Sequence, residues 1–244
     1  MSDATAALVG ATGGAGTTRL TVELGTLLAS DGRDVVVLDA AFATQGLSDY
    51  LPGRIDPDLT ALLTDARDAP LSDGLVEVPL DDVPGRLACC PAVAPFERLA
   101  RAKSPDAAQA FESRIAAAAD AFDHVLVDTP PVAANQSVAA ATATARTAVV
   151  APASTRGRDA VQRTTGRLDD IGVGVDAVVT TRGELSVADV AVPETDADVT
   201  APTCLSNRST AVAVAAVANA VFDAEPSTGD DAGLLDSVGE FVSR

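Results

Sequence analysis

The stretch Thr5-Ala6-Ala7-Leu8-Val9-Gly10-Ala11-Thr12-Gly13-Gly14-Ala15-Gly16-Thr17-Thr18-Arg19-Leu20 joins an apolar strand to a helical run through a glycine-rich turn. Gly13, Gly14 and Gly16 let successive backbone N–H groups converge on an anion, and the positive end of the helix behind them favours negative charge there. A phosphate loop of this kind ordinarily adds a lysine that reaches the β- and γ-phosphates and a Ser or Thr hydroxyl that holds Mg²⁺. Thr18 supplies the hydroxyl, and Thr17 stands where the lysine belongs. Lys103, the only lysine in the chain, lies too far along the sequence to be part of the loop.

Outward from the loop, apolar runs alternate with helical patterns. Strands are predicted near Thr5–Val9, Asp34–Asp39, Gly74–Val78, Arg86–Cys90, His124–Asp128, Thr147–Ala151, Val175–Thr180 and Ala188–Val192. Val35-Val36-Val37-Leu38, Val125-Leu126-Val127 and Ala148-Val149-Val150-Ala151 are continuous rather than alternating, as parallel strands covered on both faces should be. Helices are predicted over Thr18–Ala29, Asp58–Arg67, Pro105–Ala121, Asn135–Ala145, Arg158–Ile171 and Ser209–Phe222. This alternation predicts an α/β fold: a doubly wound, mostly parallel sheet flanked by helices, with ligands at the carboxyl ends of the strands. The 244 residues suit one such domain, expected over 1–222. An acidic flexible linker is expected over 223–233 and a short amphipathic tail over 234–244.

A net charge of −18, with arginine supplying every basic residue but Lys103, fits adaptation to a salt-rich cytoplasm that screens self-repulsion. It disfavours non-specific contact with nucleic acid or anionic lipid. Cys89, Cys90 and Cys204 form no metal pattern; as strand neighbours, Cys89 and Cys90 should face opposite sides as buried free thiols. No secretory signal opens the chain and no apolar run reaches 18 residues, so a cytoplasmic location is expected. The tail carries Leu234, Leu235, Val238, Phe241 and Val242 at helical spacing, but Asp230, Asp231, Asp236 and Glu240 make it a poor membrane anchor. Docking on a protein groove is expected instead.

An ordered set of motifs resembles the ParA/MinD family of deviant-Walker ATPases from the first strand to about Phe222. Thr12-Gly13-Gly14-Ala15-Gly16-Thr17-Thr18 matches the deviant loop. Val36-Val37-Leu38-Asp39 with Gln45-Gly46-Leu47 resembles the first switch, and Val125-Leu126-Val127-Asp128-Thr129-Pro130-Pro131 the Walker B strand and second switch. Ala148-Val149-Val150-Ala151-Pro152 with Asp159-Ala160-Val161 resembles the following strand and helix. The resemblance implies a P-loop NTPase-like three-layer fold and binding of ATP or ADP by the residues of the 12–18 loop. It also implies Mg²⁺ held by Thr18, Asp39 and Asp128.

The departures fall on charge. The family carries a signature lysine that crosses a dimer interface and a Walker lysine; the matching positions are Thr12 and Thr17. A second aspartate associated with the attacking water is matched by Ala41. Phosphoryl transfer is nearly all positioning and charge stabilisation, so weak nucleotide binding without efficient hydrolysis is expected. The role implied is a pseudo-ATPase that regulates or scaffolds, paired with a protein partner or an active paralogue, or as a homodimer. An active ATPase using a cation from a partner or from salt is the alternative within the family. A further alternative is an NAD(P)-binding regulator, since Gly10, Gly13 and Gly16 also fit a dinucleotide loop with Asp39 near a ribose. Against it, Tyr50 and Lys103 cannot supply a Tyr-x-x-x-Lys motif. Arg19 is expected on the outer helix face, His124 as a satisfied strand residue, and Arg156, Arg158 and Arg163 on a solvated helix face.

Overall fold

The computed structural model describes residues 4–194 and 202–228. Its strands are β1 (Thr5–Gly10), β2 (Asp34–Asp39), β3 (Val76–Glu77), β4 (Arg86–Cys90), β5 (His124–Thr129), β6 (Arg146–Pro152), β7 (Ala177–Thr181) and β8 (Val190–Val192). The helices are α1 (Thr17–Ser30), α2 (Leu59–Leu63), α3 (Phe96–Ala102), α4 (Pro105–Ala121), α5 (Asn135–Ala143), α6 (Thr155–Asp170) and α7 (Arg208–Phe222). The strand order is β3-β4-β2-β5-β1-β6-β7-β8. Every pairing is parallel except β3 with β4. The expected doubly wound, mostly parallel α/β sheet is therefore the observed one.

Continuous apolar strands let each strand feed two layers, because successive side chains point to opposite faces. Ala6 and Leu8 of β1, Val35 and Val37 of β2 and Leu126 of β5 pack with α1 and α7. Val36 and Leu38 turn the other way with Val125 and Val127, against α4 and α5. Ala7 and Val9 meet Val161 and Leu168 of α6 on that second side. Cys89 joins the first layer and Cys90 the second, both buried and free, as their adjacency predicts.

Most element ends shift by a residue or two from the sequence reading, and three helices depart from it further. Helix α2 stops at Leu63 rather than Arg67, because Thr64 turns its hydroxyl back onto the Thr60 carbonyl (2.7 Å) and Arg67 Nε bonds the Leu63 carbonyl (2.9 Å). Helix α3 was not expected. Its seven residues are fastened to α2 by Arg98 on Asp58 (2.6 Å) and Arg101 on Asp65 (2.5 Å). Helix α6 starts earlier than expected, at Thr155, with Ser154 Oγ accepting from Gly157 N–H (3.0 Å). After α7 the chain lies against the end of α1, where Ser227 N–H donates to Asp31 Oδ1 (3.2 Å). The rest of the expected linker and the whole tail lie outside the described residues. Among the described residues, no helix is long and apolar enough to cross a membrane.

Candidate phosphate-binding site

Strand β1 sits in the middle of the sheet with β5 on one side and β6 on the other, so the loop leaving it emerges between two strand ends. Gly10 fits because a Cβ there would lie 2.7 Å from Thr17 Oγ1. Gly14 (φ 71°) and Gly16 (φ 85°) occupy left-handed backbone that the loop needs in order to turn. Gly16 caps α1 with no side-chain bond to its first N–H groups, which leaves those donors aimed at the loop. The cleft over the loop measures about 360 Å³. All seven residues from Thr12 to Thr18 line it.

Opposite the helix end, two of the three residues expected to hold Mg²⁺ reach the cleft. Thr18 Oγ1 donates to Asp128 Oδ2 at 2.6 Å, and both line the cleft. Asp39 faces Asp128 across the β2–β5 register but is fully buried behind the cleft wall. Its oxygens accept from Ala41 N–H (2.8 Å) and Ala92 N–H (3.1 Å), stitching the first switch to the end of β4. Burial pushes the Asp39 carboxyl well above the usual carboxylate range, and the charge of Asp128 adds to the shift. Burial raises Asp128 too, against the hydrogen bond from Thr18. Thr18 and Asp128 are hard oxygen donors at the cleft, whereas Asp39, expected in the same set, does not line it because the Ala41 and Ala92 amides hold its carboxyl behind the wall. One carboxylate with phosphate oxygens and waters is also the usual surrounding of Mg²⁺. The donor set therefore fits Mg²⁺ supported by a phosphate ligand; no cluster of three or more metal-ligating side chains occurs among the described residues.

The positions that lost charge are also in place. Thr12 and Thr17 belong to the cleft, Thr17 only 9% exposed, and Ala41 brings a methyl group to the same wall. Arg19 departs from expectation. Rather than pointing into solvent it is half-buried, donating to Glu23 Oε1 (3.3 Å) and Thr203 Oγ1 (3.3 Å). Glu23 is itself buried, and it draws the guanidinium inward. His124 lies at the far end of β5, its ring 4.8 Å from that of Phe222, and Arg156, Arg158 and Arg163 are exposed on α6. The exposed arginines are as the sequence suggested; His124 is a strand residue but not a satisfied one, since its buried Nδ1 has no hydrogen-bond partner among the described residues.

A second cavity of about 200 Å³ opens beside the loop, sharing Gly16 and Arg19 with the cleft. Leu20, Val192 and Pro193 give it an apolar wall, and its polar side includes Thr181 and Arg182 together with the carboxylates of Glu23 and Glu194. Sequence reading missed Thr181 and Arg182. Their signal was two polar residues and a glycine at the carboxyl end of a buried strand, the place where open α/β sheets bind ligands.

The strand order also differs from that of a dinucleotide-binding fold. A dinucleotide fold sets β2 next to β1, which would bring Asp39 to a ribose beside the loop. Here β5 lies between β1 and β2, and Asp39 is held by backbone amides.

No family model and no curated protein matches the sequence. Solved structures do. The chain is similar to the septum site-determining protein MinD of Pyrococcus horikoshii in complex with Mg-ADP, with a TM-score of 0.73 at 19% identity, over 89% of this chain and 95% of that one. It is similar to the MinC:MinD cell division protein complex of Aquifex aeolicus (TM-score 0.71, 21% identity, 90% and 96% covered). It also resembles a ParA family ATPase of Chlorobium tepidum (0.67, 15%, 91% and 98%). The chain has the ParA/MinD fold.

Proposed function

We propose that this chain is a degenerate ParA/MinD-type protein that binds ADP or ATP with Mg²⁺, does not split it, and acts as a regulatory or scaffolding subunit in spatial positioning or partitioning. One observation carries this reading: the backbone cradle and the Thr18–Asp128 pair are intact, while threonine, threonine and alanine occupy positions 12, 17 and 41 of the same cleft. Loop N–H groups and the α1 terminus bind and orient the phosphates. Thr18 and Asp128 would hold Mg²⁺, which when bound neutralises charge on the β- and γ-phosphate oxygens. The adjoining cavity, apolar at Leu20, Val192 and Pro193, suits a base. What the cleft lacks are groups that act on the transition state: no side chain of residues 12–18 is cationic, Arg19 on the cleft wall is turned to Glu23, and Ala41 cannot orient a water. Loss of one such group can cost on the order of 10³-fold in rate, and here three are absent.

A protein partner follows from the same reasoning, because a bound nucleotide that is not consumed can act only by stabilising a surface. The Aquifex neighbour is a MinC:MinD complex, which makes a protein rather than a membrane or nucleic acid the partner favoured here. With −18 net charge, a cytoplasm rich in salt is the proposed setting. Calorimetric titration with Mg-ADP, Mg-ATP and NAD(H), joined to a melting curve for each, tests the reading. Binding and stabilisation by the adenine nucleotides alone support it; a preference for NAD(H), or no ligand response at all, overturns it.

A further inference from the structure

The phosphate loop is gripped from outside by the end of β7. A cradle that turns its N–H groups inward must turn carbonyls outward, and two consecutive carbonyls of this loop meet the last residue of β7 and the residue that follows it. Thr181 Oγ1 donates to the Ala15 carbonyl at 2.7 Å, and the Arg182 guanidinium donates to the Gly14 carbonyl. Thr181 also closes the space at Gly16, where an added Cβ would lie 3.4 Å from Thr181 Cγ2.

Both residues are themselves planted. The Thr181 carbonyl accepts from Ala153 N–H (2.9 Å) at the end of β6, and Arg182 N–H donates to the Val192 carbonyl (3.0 Å) on β8. Arg182 sits at φ 62°, a left-handed conformation uncommon for a residue with a side chain. Gly183 (φ 133°) follows it, and Thr180 Oγ1 locks the turn by donating to the Gly183 carbonyl (2.9 Å). Such backbone persists where its surroundings over-determine it. The product is a guanidinium fixed against the loop and on the wall of the adjoining cavity. Among the described residues, Arg19 and Arg182 are the cations that line the two cavities, and Arg19 is engaged with the carboxylate of Glu23.

We infer that Arg182, seated by Thr181, is the positioning residue that holds this loop in its anion-binding shape and supplies the positive field that the loop's own sequence lacks. The inference rests on the nucleotide-binding reading above. The guanidinium acts on polyphosphate through charge and through the Gly14 carbonyl it restrains; it is not a transition-state group, since it grips the outer side of the loop. Its contribution must therefore grow with the number of phosphates on the ligand, whereas a residue that merely supports the fold would weaken all ligands alike.

The test is calorimetric affinity for adenosine, Mg-ADP and Mg-ATP in wild type, Arg182→Ala, Arg182→Gln, Arg182→Lys and Thr181→Val, with melting curves as the folding control. Arg182→Ala and Arg182→Gln are expected to weaken Mg-ATP by roughly 10- to 100-fold, Mg-ADP by less, and adenosine hardly at all, as loss of a charge-assisted contact implies. Arg182→Lys recovers part of the loss. Thr181→Val, which disturbs loop shape without removing charge, lowers the two nucleotides by a common factor. If wild type binds Mg-ATP and Arg182→Ala binds it equally well, the inference falls and the nucleotide reading stands. If folded wild type binds no nucleotide, that reading fails and takes the charge-supplying role with it.

Discussion

A threonine at position 17 offers a short hydroxyl where a long cation would reach over the cleft, and its burial beside Gly10 keeps even that hydroxyl close to β1. Thr18, one residue later, turns its hydroxyl into the cleft, 2.6 Å from Asp128. These contrasts were legible in the sequence because the loop is local: its glycines, hydroxyls and missing lysine are neighbours in the chain. Arg182 was not legible, since it meets Gly14 across 168 positions and only the sheet brings them together. Away from the cleft, His124 Nδ1 is buried without a hydrogen-bond partner in the described structure. Burial, aided by the charge of Arg33 and opposed by Asp123, holds its imidazole below the ordinary value of 6.5. The unfolded chain then takes up a proton that the folded chain refuses, so this group's stabilisation is present at higher pH and is lost as pH falls through 6.5. Asp39 and Asp128, pushed upward, act in the opposite sense, so the comparison must be between variants. Between about pH 7.5 and about pH 5.5, urea midpoints are expected to fall more for wild type than for His124→Leu; parallel profiles would contradict this assignment.

At the scale of elements, α1 links the loop to the second side of the site through one buried carboxylate. Glu23 accepts from Thr203 N–H (2.8 Å), Cys204 N–H (2.8 Å) and Thr203 Oγ1 (2.7 Å), and pairs with Arg19. That contact ties the helix to the turn that precedes α7, across 180 positions. Glu23→Ala leaves these donors buried and unanswered, and a loss of about 2–4 kcal/mol in urea-denaturation stability is expected. Glu23→Gln should lose less. A cost under about 0.5 kcal/mol for Glu23→Ala would mean that water replaces the carboxylate freely. The strands were readable because buried parallel strands are written as continuous Val, Leu and Ala. The ends of α2 and the whole of α3 were not, because Thr64 back-bonding and the ion pairs of Arg98 and Arg101 are tertiary effects without periodicity.

For the molecule as a whole, strand order was the decisive fact that no local pattern contained. Insertion of β5 between β1 and β2 brings Asp128, rather than Asp39, to the side of Thr18, and separates a phosphate cradle from a dinucleotide one. The overall charge of −18 belongs to this scale too. Self-repulsion between solvated carboxylates weakens as the Debye length shrinks from about 10 Å at 0.1 M salt to about 3 Å at 1 M. The melting temperature is therefore expected to rise steadily with KCl into the molar range, and a flat or falling curve would speak against a chain fitted to high salt. On the function proposed above, the cradle, the Thr18–Asp128 pair and the missing cations make a site that would hold a triphosphate and leave it whole. Phosphate release from Mg-ATP by the purified chain, in molar KCl and with nucleotide binding verified in the same sample, tests this most directly. The account predicts release at the rate of ATP alone; sustained release of many phosphates per chain, lost in Thr18→Ala, would contradict it.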